Sequence, residues 1–478
     1  MPLLEKVLQK IKPSPEERRD LDLIAKEVVS KIQRLAQSRE LECKVLIVGS
    51  AARKTWLSGD HDLDVFIGVP EAGSLEGALD IARDVASQHE ERYAEHAYVH
   101  ALFRGFELDL VPCYLVKDAS CILSAVDRTP FHSRYVSGRI RGAEDDVLLL
   151  KQFMKGAHVY GSELRVGGFS GYLAELLVIR YGSFLEVLEG ASLWRPGETI
   201  DLESHLALSH EDPLIVVDPV EPKRNVAAAL TLDKMFQFAA TSRCFLKRPG
   251  IEFFFPPPPC PLADKELLES IAERESFFVL IEFSAPPLVE DVIFPQMRKA
   301  EQSIRALLER GGFVVLRSEV DLHPEVDPHQ PTPPEGRLGV DLSVGLGDTN
   351  LKSGSEYHES VARLLFELET RSLPVVQKRR GPPIWEGDHV ERFLSSHSEI
   401  LSGPYVENGK VVVETERKHT SPVELIRSQI LNLSLGKHVG PQVKRGYKIY
   451  AGQELLDVKD RDFREFMARY LSARHNIC

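Results

Sequence analysis

With 478 residues, 43% hydrophobic and 27% charged, the chain has the proportions of a globular protein of about three domains, not of a disordered or fibrous one. Its 59 Lys+Arg against 72 Asp+Glu give a net charge of −13, which disfavours nucleic acid as a partner of the whole surface but not of local basic clusters. Six cysteines without a C-x-x-C pair, no signal-peptide pattern and no apolar run of about 18 residues argue against a zinc or disulfide framework and a membrane span, predicting a reduced cytoplasmic protein.

Residues 14–37 read as an amphipathic helix: Ser14-Pro15-Glu16-Glu17 is a capping box, and Leu21, Ile24, Ala25, Val28, Ile32 and Leu35 recur at helical spacing. Val45 to Val69 then reads as strand, tight turn, short helix and strand. The apolar run Val45–Val48 leads into Gly49-Ser50. Arg53, Thr55 and Trp56 follow, Gly59 breaks the chain, and a second strand opens on Asp62-Leu63-Asp64. Residues two apart on a strand share a face, so Asp62 and Asp64 project together while Leu63 and Val65 enter the core. Two adjacent carboxylates repel, and a divalent cation relieves that cost. Glycine at 49 allows close backbone approach to a phosphate, to which Ser50 can donate.

A helix is predicted over 76–93, followed by strands at 97–103 and 106–112, which makes one sheet with flanking helices up to about residue 140. Asp109 and Glu107 oppose the apolar Phe106, Leu108 and Leu110. Beside Asp62 and Asp64, Asp109 would hold two cations roughly 3.5–4 Å apart, the usual device for phosphoryl transfer. The segment Thr129–Tyr135 reads as a loop in which His132 is either a surface residue or a base or phosphate contact. A helix over 145–156 carries Lys151 and Lys155, either a solvated face or a counter-charge to phosphate. Tyr160 sits in the turn 159–163 as an exposed aromatic, useful for base or sugar packing. Ser170 opens a mostly core helix through Leu173, Leu176, Leu177 and Phe184. In the extended piece 217–226, Arg224 either pairs with a carboxylate or offers a planar edge to a base.

The run Phe253–Pro259 ends the helical region and reads as a boundary or a stiff connector. A strand at 277–283, a helix at 293–309 and a strand at 313–316 then make half of a ferredoxin-like unit. Residues 322–356 read as a flexible insertion, and 361–369 as a helix. Lys378-Arg379-Arg380, Arg417-Lys418-His419, Lys437-His438 and Lys444-Arg445, interleaved with Tyr447 and Tyr450, are either plain basic surface or a polyphosphate footprint.

These residues bring a family into view. The stretches VGSAARKTWLSGDHDLDVF, ELDLVPCY, RTPFHSRYV, LLLKQFMKGAHVYGSELRVGGFSGYLAELL, DPVEPKRNVAAAL and FSAPPLVEDVIFPQ resemble the archaeal-type (class I) CCA-adding enzymes, tRNA nucleotidyltransferases of the polymerase-β-like superfamily. The resemblance spans nearly the whole chain apart from 322–356. It implies a multidomain α+β fold: a catalytic head (1–140) with a polymerase-β-like sheet, a helical neck with the base pocket (141–257), and a ferredoxin-like, RNA-binding body and tail (258–478). It implies addition of C, C and A to the tRNA 3′ end from CTP and ATP with Mg²⁺, the acceptor–TΨC arm lying along body and tail. Monomer or homodimer is left open. Carried over, Asp62, Asp64 and Asp109 match the metal-binding carboxylates, and Ser50 and Arg53 the triphosphate turn. His132, Lys151 and Tyr160 match residues lining the nucleotide, and Arg224 one that shapes the base pocket. Two positions depart from the pattern: Asp62 stands where the family often has Glu, and Ala51-Ala52 where bulkier or polar residues are common. The rival readings are a poly(A) polymerase-like enzyme and a catalytically inactive RNA-binding relative.

Overall fold

The computed structural model describes residues 2–86, 88–93, 95–205, 211–258, 260–323, 360–397 and 399–472. The chain forms two compact units that part at Pro258 and Pro259, inside the proline run. Each is described by itself. Among the described residues no helix is long and apolar enough to cross a membrane.

The first unit opens with helix α1 (Pro2–Ile11), absent from the sequence reading, and α2 (Pro15–Ser38). The capping box is made: Ser14 Oγ accepts from the Glu17 amide and the Glu17 carboxylate accepts from the Ser14 amide. The same carboxylate also accepts from Ser58 Oγ and the Gly59 amide, so the cap of α2 holds the loop that precedes the carboxylate strand. Ser14→Ala should therefore cost about 1 kcal/mol, read as a loss of ~2–4 °C in thermal unfolding.

Strand β1 (Lys44–Ile47), helix α3 (Gly49–Arg53) and strand β2 (Asp62–Val69) follow as expected. Helix α4 (Leu75–Val85) stops eight residues short of the predicted end, and Glu90–Tyr93 forms an edge strand, β3. The apolar period ends at Ala86, and the charged segment beyond has no face to bury as a helix; an exposed edge strand accepts such residues. With β4 (Ala97–Phe103) and β5 (Phe106–Tyr114), the sheet runs β1-β2-β5-β4-β3, with β2 and β5 parallel and the other pairs antiparallel. Leu63, Val65, Ile67, Val69, Leu108 and Leu110 pack on α2 and α4. The opposite face therefore carries Asp62, Asp64, Glu107 and Asp109.

Thr129–Arg139 is helix α5 rather than a loop: Pro130 lies in its first turn, where a missing N–H costs nothing. Helix α6 (Glu144–Gly156) is as predicted. The next helix is two, α7 (Gly171–Tyr181) and α8 (Phe184–Ala191), because Gly182 takes φ +105 and ends the first. Strands β6 (Glu198–Asp201) and β7 (Leu214–Val217) pair in parallel, and α9 (Leu232–Lys247) completes the unit. Its core is aromatic: Phe153, Phe184, Phe238, Phe245 and Phe254 meet at ring centroid distances of 5.4–6.1 Å, mostly edge to face. Cys43, Cys113, Cys121 and Cys260 are free.

In the second unit, α10 (Asp264–Glu273) precedes β8 (Phe277–Ser284), α11 (Glu290–Arg310) and β9 (Val315–His323). Val361–Leu368 is a strand, β10, not the predicted helix. VARLLFEL is an apolar run that either element could use. Pairing with β8 on one side and β9 on the other, and burial on both faces, make it the middle of the sheet. The insertion expected at 322–356 lies, from residue 324 on, outside the described residues. Strands β11 (Val376–Pro383), β12 (Ile400–Glu407) and β13 (Lys410–Glu416) form a separate sheet with α12 (Gly387–Ser395) against β11. Helices α13 (Pro422–Gln429) and α14 (Val439–Arg445), strand β14 (Lys448–Ala451) and helix α15 (Arg461–Ser472) follow. The four-stranded order β14-β8-β10-β9, all antiparallel, is the full ferredoxin-like βαββαβ plait. Its second half lay hidden behind the β11–β13 sheet, which interrupts it.

Candidate active site

A cleft of about 400 Å³ opens between the carboxylate face of the first sheet and helices α6 and α7. Its walls include Gly49, Ser50, Arg53, Asp62, Asp64, Lys151, Tyr160 and Tyr172. Six of the sequence-predicted residues, far apart in the chain, thus share one cavity. Gly49 has φ +69, and a Cβ there would overlap the Asp64 carboxylate, so only glycine admits this approach of turn to strand. At the far wall, a Cβ on Gly171 would come within 3.0 Å of Tyr160 Oη and 3.5 Å of Lys151 Nζ.

The electrostatics divide the cleft. On the sheet side, burial, then repulsion from Asp109 and Asp62, pushes Asp64 up to about 6, with Arg53 opposing. Asp62 is raised by burial and by Glu107, Asp60 and Asp109. Carboxylates in this state bind a hard cation readily, because it removes both penalties. On the helix side, Lys151 is buried and donates to the Thr55 carbonyl at 2.8 Å; burial pushes it down to about 8. It is not the solvated lysine its position on α6 allowed. Lys155 pairs with Asp60 at 2.8 Å, and its ammonium lies 5.7 Å from the Tyr160 ring centre. Tyr160 is half-buried, not exposed.

Asp109 is placed less simply. In register it stands directly opposite Asp64, as Glu107 stands opposite Asp62. Its carboxylate, however, is bonded to His100 Nδ1 at 2.7 Å, from the neighbouring strand. Among the described residues no three carboxylate, imidazole or thiol groups are gathered closely enough to hold a metal ion. The strand register sets Asp109 beside Asp64, while its side chain turns to His100. His100 was missed in the sequence, although the hairpin encodes it: Arg104 and Gly105, both at positive φ, form a two-residue turn that sets His100 across from Asp109.

His132 and Arg224 meet elsewhere. His132 is buried, stacked on Tyr172 at 4.2 Å, with Nε2 2.9 Å from Asp218 Oδ2. Arg224 Nη1 donates to the same oxygen at 2.9 Å. Asp218, fully buried, thus ties α5 and the 217–226 segment together behind Tyr172, a wall of the cleft. Both alternatives for Arg224 remain compatible with this, because its carboxylate partner leaves the side chain 36% exposed. Glu175, on α7, is the other residue the sequence did not single out: it accepts from Arg53 Nε at 2.9 Å and Thr55 Oγ1 at 2.5 Å.

Residues 26–132 match the nucleotidyltransferase domain family, 145–255 the second domain of tRNA nucleotidyltransferases, and 274–326 with 347–452 the C-terminal domain of CCA-adding enzymes. A CCA-adding enzyme of Methanosarcina acetivorans is 44% identical over 97% of both chains. Those of Methanothermobacter thermautotrophicus and Archaeoglobus fulgidus are 38% and 36% identical, over 98% and 95% of this chain and 97% and 95% of their own. Among solved structures, a Cid1 poly(U) polymerase matches 53% of this chain and 95% of its own at 13% identity, with a TM-score of 0.43.

Proposed function

Because this chain belongs to the CCA-adding enzyme family of tRNA nucleotidyltransferases, we propose that its cleft adds C, C and A to the tRNA 3′ end from CTP and ATP, without a template and with release of pyrophosphate. The observation that carries the reading is one cavity with two carboxylates of raised pKa, Asp62 and Asp64, on one wall and two cations, the half-buried Arg53 and the buried Lys151, near the other. That polarity suits a triphosphate lying across it.

Enzymes of this kind generally use divalent metal ions, and Mg²⁺ is the ion proposed here. Asp62 and Asp64, with Asp109 turned from His100, would hold it, and it would supply charge neutralisation and a more acidic attacking hydroxyl. The chain's own groups do the rest. Ser50 and the amides after Gly49 face the phosphates. Arg53 and Lys151 take up charge that develops on the leaving pyrophosphate. Tyr160 packs against the nucleotide, and Asp218 fixes His132 and Arg224 beside the base. Residues 1–140 serve as the catalytic head, 141–257 as the neck and 258–478 as the tRNA-holding body and tail.

The basic clusters of the second unit sort themselves for that last role. Lys378 and Arg380 pair with Glu407, and Arg417 donates to the carbonyls of Gly311 and Pro374. Arg379, Lys418, Lys437 and Lys444 are exposed and have no ion pair among the described residues. They are the proposed phosphate contacts, with Trp385, 75% exposed, as a stacking surface.

Incubation with tRNA lacking its last three nucleotides and all four NTPs tests the reading. Extension by three residues and a halt is expected; a long A tail would make the enzyme a poly(A) polymerase, and no pyrophosphate release an inactive relative. Mg²⁺ should also raise the unfolding temperature more at pH 7.5 than at pH 5, because Asp64 is protonated below about 6 and then a poor ligand.

A further inference from the structure

Glu175 has no exposed surface, and one of its oxygens, Oε2, is buried without a hydrogen-bond partner. Its other oxygen carries the Arg53 and Thr55 bonds. An incompletely satisfied buried carboxylate is expensive, and a buried ion pair is a poor device for stability alone. Helix α7 does not need it either: its N-terminus is capped by Ser170. The network it closes lies at the cationic end of the cleft. Arg53 is held at Nε by Glu175 and contacts Ser133 Oγ through Nη1 at 3.5 Å, leaving Nη2 outside these bonds. Lys151 donates to the carbonyl of Thr55, whose hydroxyl is on Glu175.

We infer that Glu175 is the positioning residue of the triphosphate end: it aims the Arg53 guanidinium into the cleft and keeps the Lys151 ammonium charged beside it. The inference deepens the nucleotidyltransferase reading and rests on it. Charges facing Lys151 come from four directions. Glu175 on α7 and Asp60 before β2 favour its protonated form, whereas Arg53 on α3 and Lys155 on its own helix oppose it. With Glu175 present, Arg53 and Lys151 leave one net positive charge for a triphosphate. Without it, two neighbouring cations repel and Lys151 gives up its proton more easily.

Calorimetric binding of CTP with Mg²⁺, beside steady-state addition to tRNA, tests this. Glu175→Gln should weaken CTP binding about tenfold at pH 7.5 and lower kcat as well, because both cations also meet the leaving pyrophosphate. The alkaline pH at which affinity falls should move lower. Glu175→Asp, which keeps the charge but shortens the reach to Arg53, should raise KM without moving that pH, and serves if the glutamine variant does not fold. Unchanged CTP affinity and pH profile in the variants would overturn the inference. A wild-type protein that binds no CTP would instead overturn the nucleotidyltransferase reading itself.

Discussion

Asp64→Asn is expected to slow nucleotide addition by about 10³-fold or more, roughly 4 kcal/mol in the transition state, while leaving the metal-free protein no less stable. The two halves of this result have one cause. Asp64 lies across from Asp109, two residues from Asp62 on the same face, and below the Gly49 turn, and its carboxylate is raised to about 6 by burial and by its neighbours. Its folded pKa is above its ordinary value, so the fold is penalised once the group ionises. Stability should fall as pH rises from about 4 to about 6, by on the order of 2 kcal/mol. Asparagine removes the charge, and with it both the penalty and the ligand. Thermal unfolding of metal-free wild type and variant at pH 5 and pH 7.5, beside single-turnover addition, separates the two. A variant that lost activity by unfolding would show a lower melting temperature at both pH values, contrary to expectation.

Asp218→Ala should destabilise the first unit by about 3–5 kcal/mol, a fall in melting temperature on the order of 10 °C, and abolish nucleotide discrimination. Although burial alone would raise it, hydrogen bonds from His132, the Val220 amide and Arg224 hold Asp218 down to about 2. A depressed carboxylate stabilises the fold above its ordinary pKa and loses that contribution as pH falls from about 4 towards 2. Alanine leaves Arg224 and His132 without their shared partner. Unfolding against pH should show the wild type's acid-dependent stability missing in the variant. Asp218→Asn, which retains an acceptor, should recover part of the stability. Equal melting temperatures for wild type and alanine variant would show that Asp218 ties nothing together.

The five-stranded sheet was legible because its signals are local. Val45–Val69 switches from an apolar run to Gly-Ser and then to period-two alternation, so strand, turn and strand follow from side-chain direction alone. Ser50, Arg53, Lys151 and Tyr160 could be nominated from that frame and from the family resemblance. What escaped depends on distant pairing. Residues 361–368 are apolar throughout, and only the strands on either side show that they are not a helix. Glu175 stood in plain sight as the one acid in LAELL, a charge on an apolar helix face, yet its meaning requires Arg53, 122 residues earlier. Asp218 lay in a segment noticed only for Arg224. Asp109 lies on the strand read for it, but the histidine that engages it sits one hairpin turn away.

A crystal structure with Mg²⁺, an unreactive CTP analogue and a tRNA lacking its terminal residues tests the central claim most directly. Asp62, Asp64 and Asp109 should each lie within about 2.0–2.1 Å of a metal ion, Asp109 no longer turned to His100, with Arg53 and Lys151 on the triphosphate. Metal and nucleotide bound elsewhere, or Asp109 still held by His100 with no ion between it and Asp64, would contradict it.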